Sequence, residues 1–255
     1  MDEPFLLVQL SDPHVGADWI DADPLERFAA AVESVRSMPQ APDAVLVSGD
    51  LTEHGADAEC EAVRETLATL DVPFHVLPGN HDVREPIRRA FELPGEADEP
   101  IQYAVDLGPL RLVVLDTTIP GEDAGALDAE RLGWLDATLA QEPDSLTVIA
   151  MHHPPLVSGV PALDRIALAR PDQHALGEVV ERHPQVERFV AGHVHRVMVG
   201  QLAGRAALTV PSTYVQTQLD FSMEEIELAD EPPGFGVHAV GDGELSSHVQ
   251  PVART

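Results

Sequence analysis

Short apolar runs alternate with amphipathic stretches along most of the chain, a pattern that predicts layered α/β structure. The runs Phe5–Leu10, Ala44–Ser48, Phe74–Leu77, Leu110–Leu115, Thr147–Met151 and Arg188–Ala191 each have the length of one strand. A helix is predicted between the first two. Asp23 caps it, Pro24 suits its first turn, and Glu26 completes a capping-box spacing. Leu25, Phe28, Ala29, Val32 and Val35 then recur at helical spacing on one face. Val63, Leu67 and Leu70 mark a second helix and Leu132, Leu135 and Leu139 a third. Leu176, Val179 and Val180 mark a fourth, ending near Pro184. Glu92–Pro100 is acidic and bears proline and glycine, so it reads as a loop. After Thr209 the pattern turns irregular until Phe235–Val240 and Leu245–Val249, which flank Gly241-Asp242-Gly243 as a hairpin. These readings divide the chain into a core of residues 1–212 and a C-terminal extension, 213–255, packed on that core or at an oligomer interface.

Composition narrows the classes. The chain has 255 residues, 44% hydrophobic, with a formal net charge of −29, and all fifteen basic residues are arginine. The apolar fraction is that of a folded protein rather than a disordered acidic chain. A charge of this size repels nucleic acid polymers and anionic membranes. Met1-Asp2-Glu3-Pro4 lacks the basic and long apolar regions of a secretory signal, and no window approaches the roughly 18 apolar residues of a membrane span. Cys60 is the sole cysteine, so neither a disulfide framework nor a thiolate metal cluster is expected. The expectation is a cytoplasmic enzyme.

Chemistry concentrates just after the strand-like runs: Asp12-Pro13-His14, Gly49-Asp50, Gly79-Asn80-His81-Asp82, His152-His153 and Gly192-His193-Val194-His195. Each alone reads as turn chemistry, because Asp, Asn and Gly are what turns use. Together they put oxygen or imidazole donors at five strand ends, where α/β sheets collect their ligands. Carboxylate, amide and imidazole without sulfur suit Fe, Mn, Zn or Co. Seven donors are too many for one tetrahedral ion and fit two ions sharing a carboxylate, Asp50 being the natural bridge.

Asp12-x-His14, Gly49-Asp50, Gly79-Asn80-His81-Asp82, His152 and Gly192-His193-x-His195 resemble the signature of calcineurin-like metallophosphoesterases, over about Leu6 to Tyr214. The resemblance implies an α/β, four-layer αββα sandwich of two face-to-face mixed sheets, helices outside, with a small C-terminal hairpin extension. It also implies that Asp12, His14, Asp50 and His195 hold one ion and Asp50, Asn80, His152 and His193 the other. Where purple acid phosphatases place a tyrosine ligand, this chain has Glu53. With Met151-His152-His153-Pro154-Pro155, the combination is similar to the class III cyclic nucleotide phosphodiesterases and their glycerophosphodiesterase relatives.

The implied chemistry is attack on phosphorus by a hydroxide generated between the ions. His81 protonates the leaving oxygen, and Asp82 orients that imidazole. Asn80 also faces substrate. His153 supports, and Arg196 faces the substrate phosphate. Trp19 and Trp134 read as packing residues, and His54, His75, His174, His183, His238 and His248 as surface or packing. The expected substrate is a small phosphodiester, foremost 3′,5′-cyclic AMP. A glycerophosphodiesterase or broad phosphodiesterase is the alternative, with a nuclease or a non-catalytic metal-binding module behind it. Oligomeric state stays open: the Thr213–Val252 tail serves either a homodimer interface or the extension of a sheet.

Overall fold

In β1 (Phe5–Leu10) successive side chains point to opposite faces, and both faces are buried. Leu7 joins one apolar cluster, while Val8 and Leu10 join another. The same alternation runs through β2 (Ala44–Ser48), where Ala44 and Leu46 face one way and Val45 and Val47 the other. A strand buried on both sides needs a layer on each. The structure, a computed structural model, describes residues 3–96 and 98–253 and supplies those layers. Met1 and Asp2 of the acidic start and Ala97 of the Glu92–Pro100 loop lie outside the described residues.

β1, β2 and β3 (Phe74–Leu77) run parallel and form three strands of a five-stranded sheet. The second sheet has six strands, with β5 (Arg111–Val114), β6 (Thr147–Ala150), β7 (Val186–Ala191) and β9 (Arg205–Thr209) parallel. Its antiparallel edges are β4 (Tyr103–Asp106) and β8 (Val199–Leu202). Leu7, Leu46 and Leu77 of the first sheet meet Leu112, Val114, Val148 and Val190 of the second. On the far side of the first sheet, Val45 and Val47 pack on α1 (Pro24–Arg36), α2 (Asp57–Leu67) and α3 (Arg84–Ala90) through Phe28, Val63 and Ile87. On the far side of the second, Val113, Ile149 and Phe189 pack on α4 (Ala129–Leu139) and α6 (Arg170–Val180). The order is helices, sheet, sheet, helices, the four-layer sandwich expected.

In α1, Asp23 accepts from Leu25 N (2.8 Å) and Glu26 N (3.3 Å), the expected cap. Its buried stripe is Pro24, Phe28, Ala31, Val32 and Val35. Ala29 is exposed, because the stripe follows i, i+4, i+7, i+8 and Ala31 occupies the place assigned to it. The strand Arg188–Ala191 begins earlier, at Val186. Unannounced by the pattern were β4, β8, β9, α3 and the one-turn α5 (Pro161–Arg165).

The C-terminal hairpin forms as predicted from Gly241-Asp242-Gly243, with Asp242 (φ 53°) and Gly243 (φ 80°) both left-handed. It is built into the sheet. β12 (Gly234–Gly241) pairs antiparallel with β1, and β13 (Glu244–Pro251) forms the outer edge. Before it, β10 (Gln216–Thr217) and β11 (Leu228–Ala229) make a small ribbon of their own. No helix among the described residues is long and apolar enough to cross a membrane.

Candidate metal centre

The parallel strands of both sheets end on the same side, and their next residues turn sharply inward. Five non-glycine residues there adopt left-handed backbone: Asp12 (φ 51°), His14 (45°), Asp50 (48°), His193 (70°) and His195 (48°). Left-handed backbone is disfavoured for residues with a Cβ and persists where the surroundings enforce it. Here neighbouring turns do so. Asp12 N donates to Gly49 O (3.1 Å) and His14 N to Asp50 O (2.9 Å), locking the first two turns together. His193 N donates to Asp12 Oδ1 (3.0 Å), and His81 N to Asp50 Oδ1 (3.0 Å).

These turns bring all seven expected donors together. Asp12, His14, Asp50 and His195 form one buried group: His14 Nε2 lies 3.1 Å from His195 Nε2 and 3.5 Å from Asp50 Oδ2, and His195 Nε2 lies 3.5 Å from Asp12 Oδ1. In a second group, Asn80 Oδ1 lies 3.1 Å from His152 Nε2 and 3.0 Å from His193 Nδ1. His152 Nε2 is 3.3 Å from Asp50 Oδ2, so one carboxylate adjoins both groups.

The outward nitrogens decide what the inward ones present. His14 Nδ1 donates to Glu53 Oε2 (3.1 Å), His152 Nδ1 to Ser48 O (3.0 Å), His193 Nε2 to Ile166 O (2.9 Å) and His195 Nδ1 to Val215 O (2.8 Å). Each acceptor fixes the tautomer and turns a lone pair inward. The lone pairs of His14 and His195, facing one another at 3.1 Å, repel without a cation between them. Metal ligation requires neutral imidazoles and ionised carboxylates, and the donor set fits it. Burial holds His14 below its ordinary range; burial, with His153 and His152 alongside, holds His193 well below. Burial alone would raise Asp50, but His152 and His14 outweigh it and keep it well below the usual carboxylate range. Asp12 is lowered too, its burial outweighed by His195. His152 is the exception. Burial lowers it, yet Asp50 lifts it to about 9, so a cation bound there takes the place of that proton.

Two glycines are required by closeness rather than by conformation. A Cβ on Gly79 would stand 2.1 Å from Asp50 Oδ1, and one on Gly192 would stand 2.2 Å from Ser11 Oγ. Behind the ligands runs a hydrogen-bond chain between the sheets. Arg188 donates to Ser247 Oγ, which donates to His238 Nδ1 (2.6 Å); His238 Nε2 donates to Gln9 Oε1 (3.0 Å). Gln9 Nε2 donates to Ser48 Oγ (2.8 Å), Ser48 Oγ to Ser11 Oγ (2.7 Å), and Ser11 Oγ to Asp12 Oδ2 (2.5 Å). His238 is thus a buried member of a polar chain.

Around the ligands, three expectations change. Asp82 does not orient His81. Its oxygens accept from Leu51 N (3.0 Å), Thr52 N (2.9 Å), Thr52 Oγ1 (2.7 Å) and Gly79 N (2.9 Å), so it ties two ligand turns together. Burial, with Asp50 nearby, raises its carboxyl to about 6. The carboxylate at His81 is Glu53, whose Oε2 lies 3.3 Å from His81 Nδ1 while it accepts from His14. Burial lowers His81, but Glu53 and Asp50 lift it to about 9. Burial raises Glu53, and its bonds to His14 and His81 bring it to about 2. The signal for Glu53 was its position three residues after Asp50.

Arg196 does not face the cleft either: it donates to Thr217 O (2.5 Å) and pairs with Glu231 Oε1 (3.0 Å). Trp19 is more than packing. Its ring lies 4.4 Å from that of His14 and 5.8 Å from that of His81, and it lines a cavity of about 360 Å³ over the donors. His153 keeps a supporting place. Its Nε2 donates to Asp123 O (3.1 Å) and its Nδ1 meets Thr117 Oγ1 (2.8 Å), which uses both nitrogens. Burial, with His152 nearby, lowers it to about 3.

The sequence model of a family described as calcineurin-like phosphoesterase matches residues 5–197. A probable glycerophosphodiester phosphodiesterase of Arcobacter nitrofigilis is 31% identical over 91% of this chain and 88% of its own. A 3′,5′-cyclic adenosine monophosphate phosphodiesterase of Pseudomonas aeruginosa is 30% identical over 98% of this chain and 91% of its own. Among solved structures, a dimetal phosphatase from Danio rerio superposes with a TM-score of 0.68 at 17% identity, covering 99% of this chain and 100% of its own.

Proposed function

The chain belongs to the calcineurin-like phosphoesterase family, and on that footing we propose that it is a dinuclear-metal phosphodiesterase acting on small diesters, foremost 3′,5′-cyclic AMP or a similar cyclic nucleotide. The observation that carries this reading is the set of four tethered imidazoles. Each donates outward and turns its other nitrogen toward the ionised Asp12 and Asp50 or toward Asn80. Asp12, His14 and His195 would hold one ion, Asn80, His152 and His193 the other, with Asp50 shared. Bound ions supply Lewis-acid polarisation of the phosphoryl oxygens and an acidified water.

The remaining steps fall to the chain's own side chains. His81 is partly exposed to the cavity and carries its proton with Glu53 behind it. It donates that proton to the leaving alkoxide, whose departure unprotonated is costly. Asp82 and the backbone bonds between turns keep the donors fixed, and the surrounding apolar layers exclude bulk water from beneath them. The strongly negative surface does not oppose an anionic substrate. Two divalent ions held there would reverse the field locally, and screening over roughly 8 Å weakens the distant charge.

A glycerophosphodiester substrate is the second reading, supported by the Arcobacter relative. The test is a panel of 3′,5′-cyclic AMP, glycerophosphoethanolamine and bis(p-nitrophenyl) phosphate on protein reconstituted with iron, manganese, zinc or cobalt. The proposal expects the highest kcat/KM on cyclic AMP. A higher value on glycerophosphoethanolamine replaces the substrate, and no cleavage of any diester overturns the proposal.

A further inference from the structure

The cavity over the donors has a second kind of lining. Beside the donors it carries Trp19 from the loop after β1, Ile166, and Ile226 and Leu228 from the segment leading into and forming β11. Ile226 and Leu228 are 47% and 39% exposed, leaving apolar surface open in a cavity that also holds the polar donors. Trp19 is held from behind. Its ring packs on Tyr214 at 5.9 Å and lies nearly parallel to His195, 22° at 6.2 Å. Tyr214 Oη in turn accepts from Ile20 N (3.3 Å), fixing the loop that carries the indole. No arginine lines this cavity among the described residues, so nothing here neutralises a second phosphate away from the ions.

We infer that Trp19, Ile226 and Leu228 form a slot for a flat, uncharged ring on the substrate, of the size of a nucleobase. The inference rests on the phosphodiesterase reading above and names the feature that would select its substrate. An indole and aliphatic side chains lining one cavity match a planar heterocycle, which can stack on the ring and pack on the aliphatic groups. A quaternary ammonium is matched less well, since cages for it use several aromatic faces and Tyr214 is fully buried behind Trp19. A glycerol moiety offers no flat face. The cavity, at about 360 Å³, lies toward the small end of the roughly 300–1,000 Å³ usual for small-ligand sites. Trp19 also adjoins His81, which places the slot on the side where the leaving oxygen is protonated.

Two indoles are present in the chain, so Trp134→Phe leaves Trp19 as the sole tryptophan reporter. Manganese-reconstituted Trp134→Phe protein is titrated with adenosine 5′-monophosphate and, separately, with ribose 5-phosphate. Saturable quenching by the nucleotide and none by the sugar phosphate is expected. Equal responses overturn the slot. In parallel, kcat/KM is measured for 3′,5′-cyclic AMP and glycerophosphoethanolamine with Trp19→Leu and Ile226→Ala/Leu228→Ala protein of verified metal content. The ratio of the two values should fall roughly tenfold in each variant, the scale of one base stacked on an aromatic ring. An unchanged ratio overturns the inference and leaves the phosphodiesterase reading standing. If the parent protein cleaves neither diester, that reading fails and the fluorescence titration still decides the slot.

Discussion

Ser11 Oγ donates to Asp12 Oδ2 at 2.5 Å, the last link of a chain that starts at Arg188 and runs between the two sheets. Every donor in that chain points toward Asp12, so a cation at one end and a carboxylate at the other polarise it in the same sense. Ser11→Ala removes the last link without adding volume. Partners of metal ligands are typically worth about 10–100-fold in affinity. Isothermal titration with manganese should show a loss in that range, with the far-ultraviolet spectrum unchanged.

The same chain predicts an acid weakness. His238 is fully buried, and burial, then Arg188, lowers its pKa from 6.5 to about 3. The folded protein therefore binds fewer protons at this residue than the unfolded chain between those values. Stability is unaffected above pH 6.5 and falls as pH drops from 6.5 toward 3, by several kcal/mol in all. His238→Gln keeps a donor for Gln9 and an acceptor for Ser247 but does not titrate. Urea unfolding at pH 7 and pH 5 should show a smaller difference for His238→Gln than for the parent protein.

His81 and Glu53 should matter most when the leaving group is poor. His81→Ala is expected to lower kcat on an alkyl phosphodiester by about 10²–10⁴-fold, the usual range for general acid help. On bis(p-nitrophenyl) phosphate, whose leaving group departs unprotonated, the loss should be much smaller. Glu53→Gln should follow the same order with a smaller amplitude. Steady-state kinetics with both substrates, at verified metal content, check this.

Gly79→Ala should disturb both the centre and the turn that carries it. The new methyl would stand 2.1 Å from Asp50 Oδ1 and 2.3 Å from Asp50 N, so the carboxylate that both groups of donors share and its backbone must both shift. Elemental analysis should fall well below two ions per chain, and thermal unfolding of the metal-free protein should move to lower temperature.

The donors were legible because the chemistry of a metal site is concentrated. Asp12, His14, Asp50, Asn80, His152, His193 and His195 follow apolar runs at positions where turns alone do not call for imidazole. The layered fold was legible for the same reason, since β1, β2, β5 and β6 are continuous apolar runs whose two faces both need cover. What escaped depends on contacts between distant turns. Glu53 and Asp82 are each one carboxylate in an acidic chain, and only the folded loops decide that the first reaches His81 and the second Thr52. Arg196 adjoins a ligand in sequence, yet β10 and Glu231 capture it. Trp19 lies in a loop with no periodicity, so its place over His14 follows from its packing on Tyr214. β4 and β8 are sheet edges with half-exposed faces, which weakens the apolar signal that marked the central strands.

The central claim is that Asp50 joins two ions in one phosphodiesterase centre. Stepwise addition of manganese to metal-free protein, with hydrolysis of 3′,5′-cyclic AMP and of bis(p-nitrophenyl) phosphate followed at each equivalent, tests it most directly. The account predicts that activity rises until two equivalents are bound, and that Asp50→Asn abolishes the rise. Saturation at one equivalent, or no diester hydrolysis with two ions bound, would contradict it.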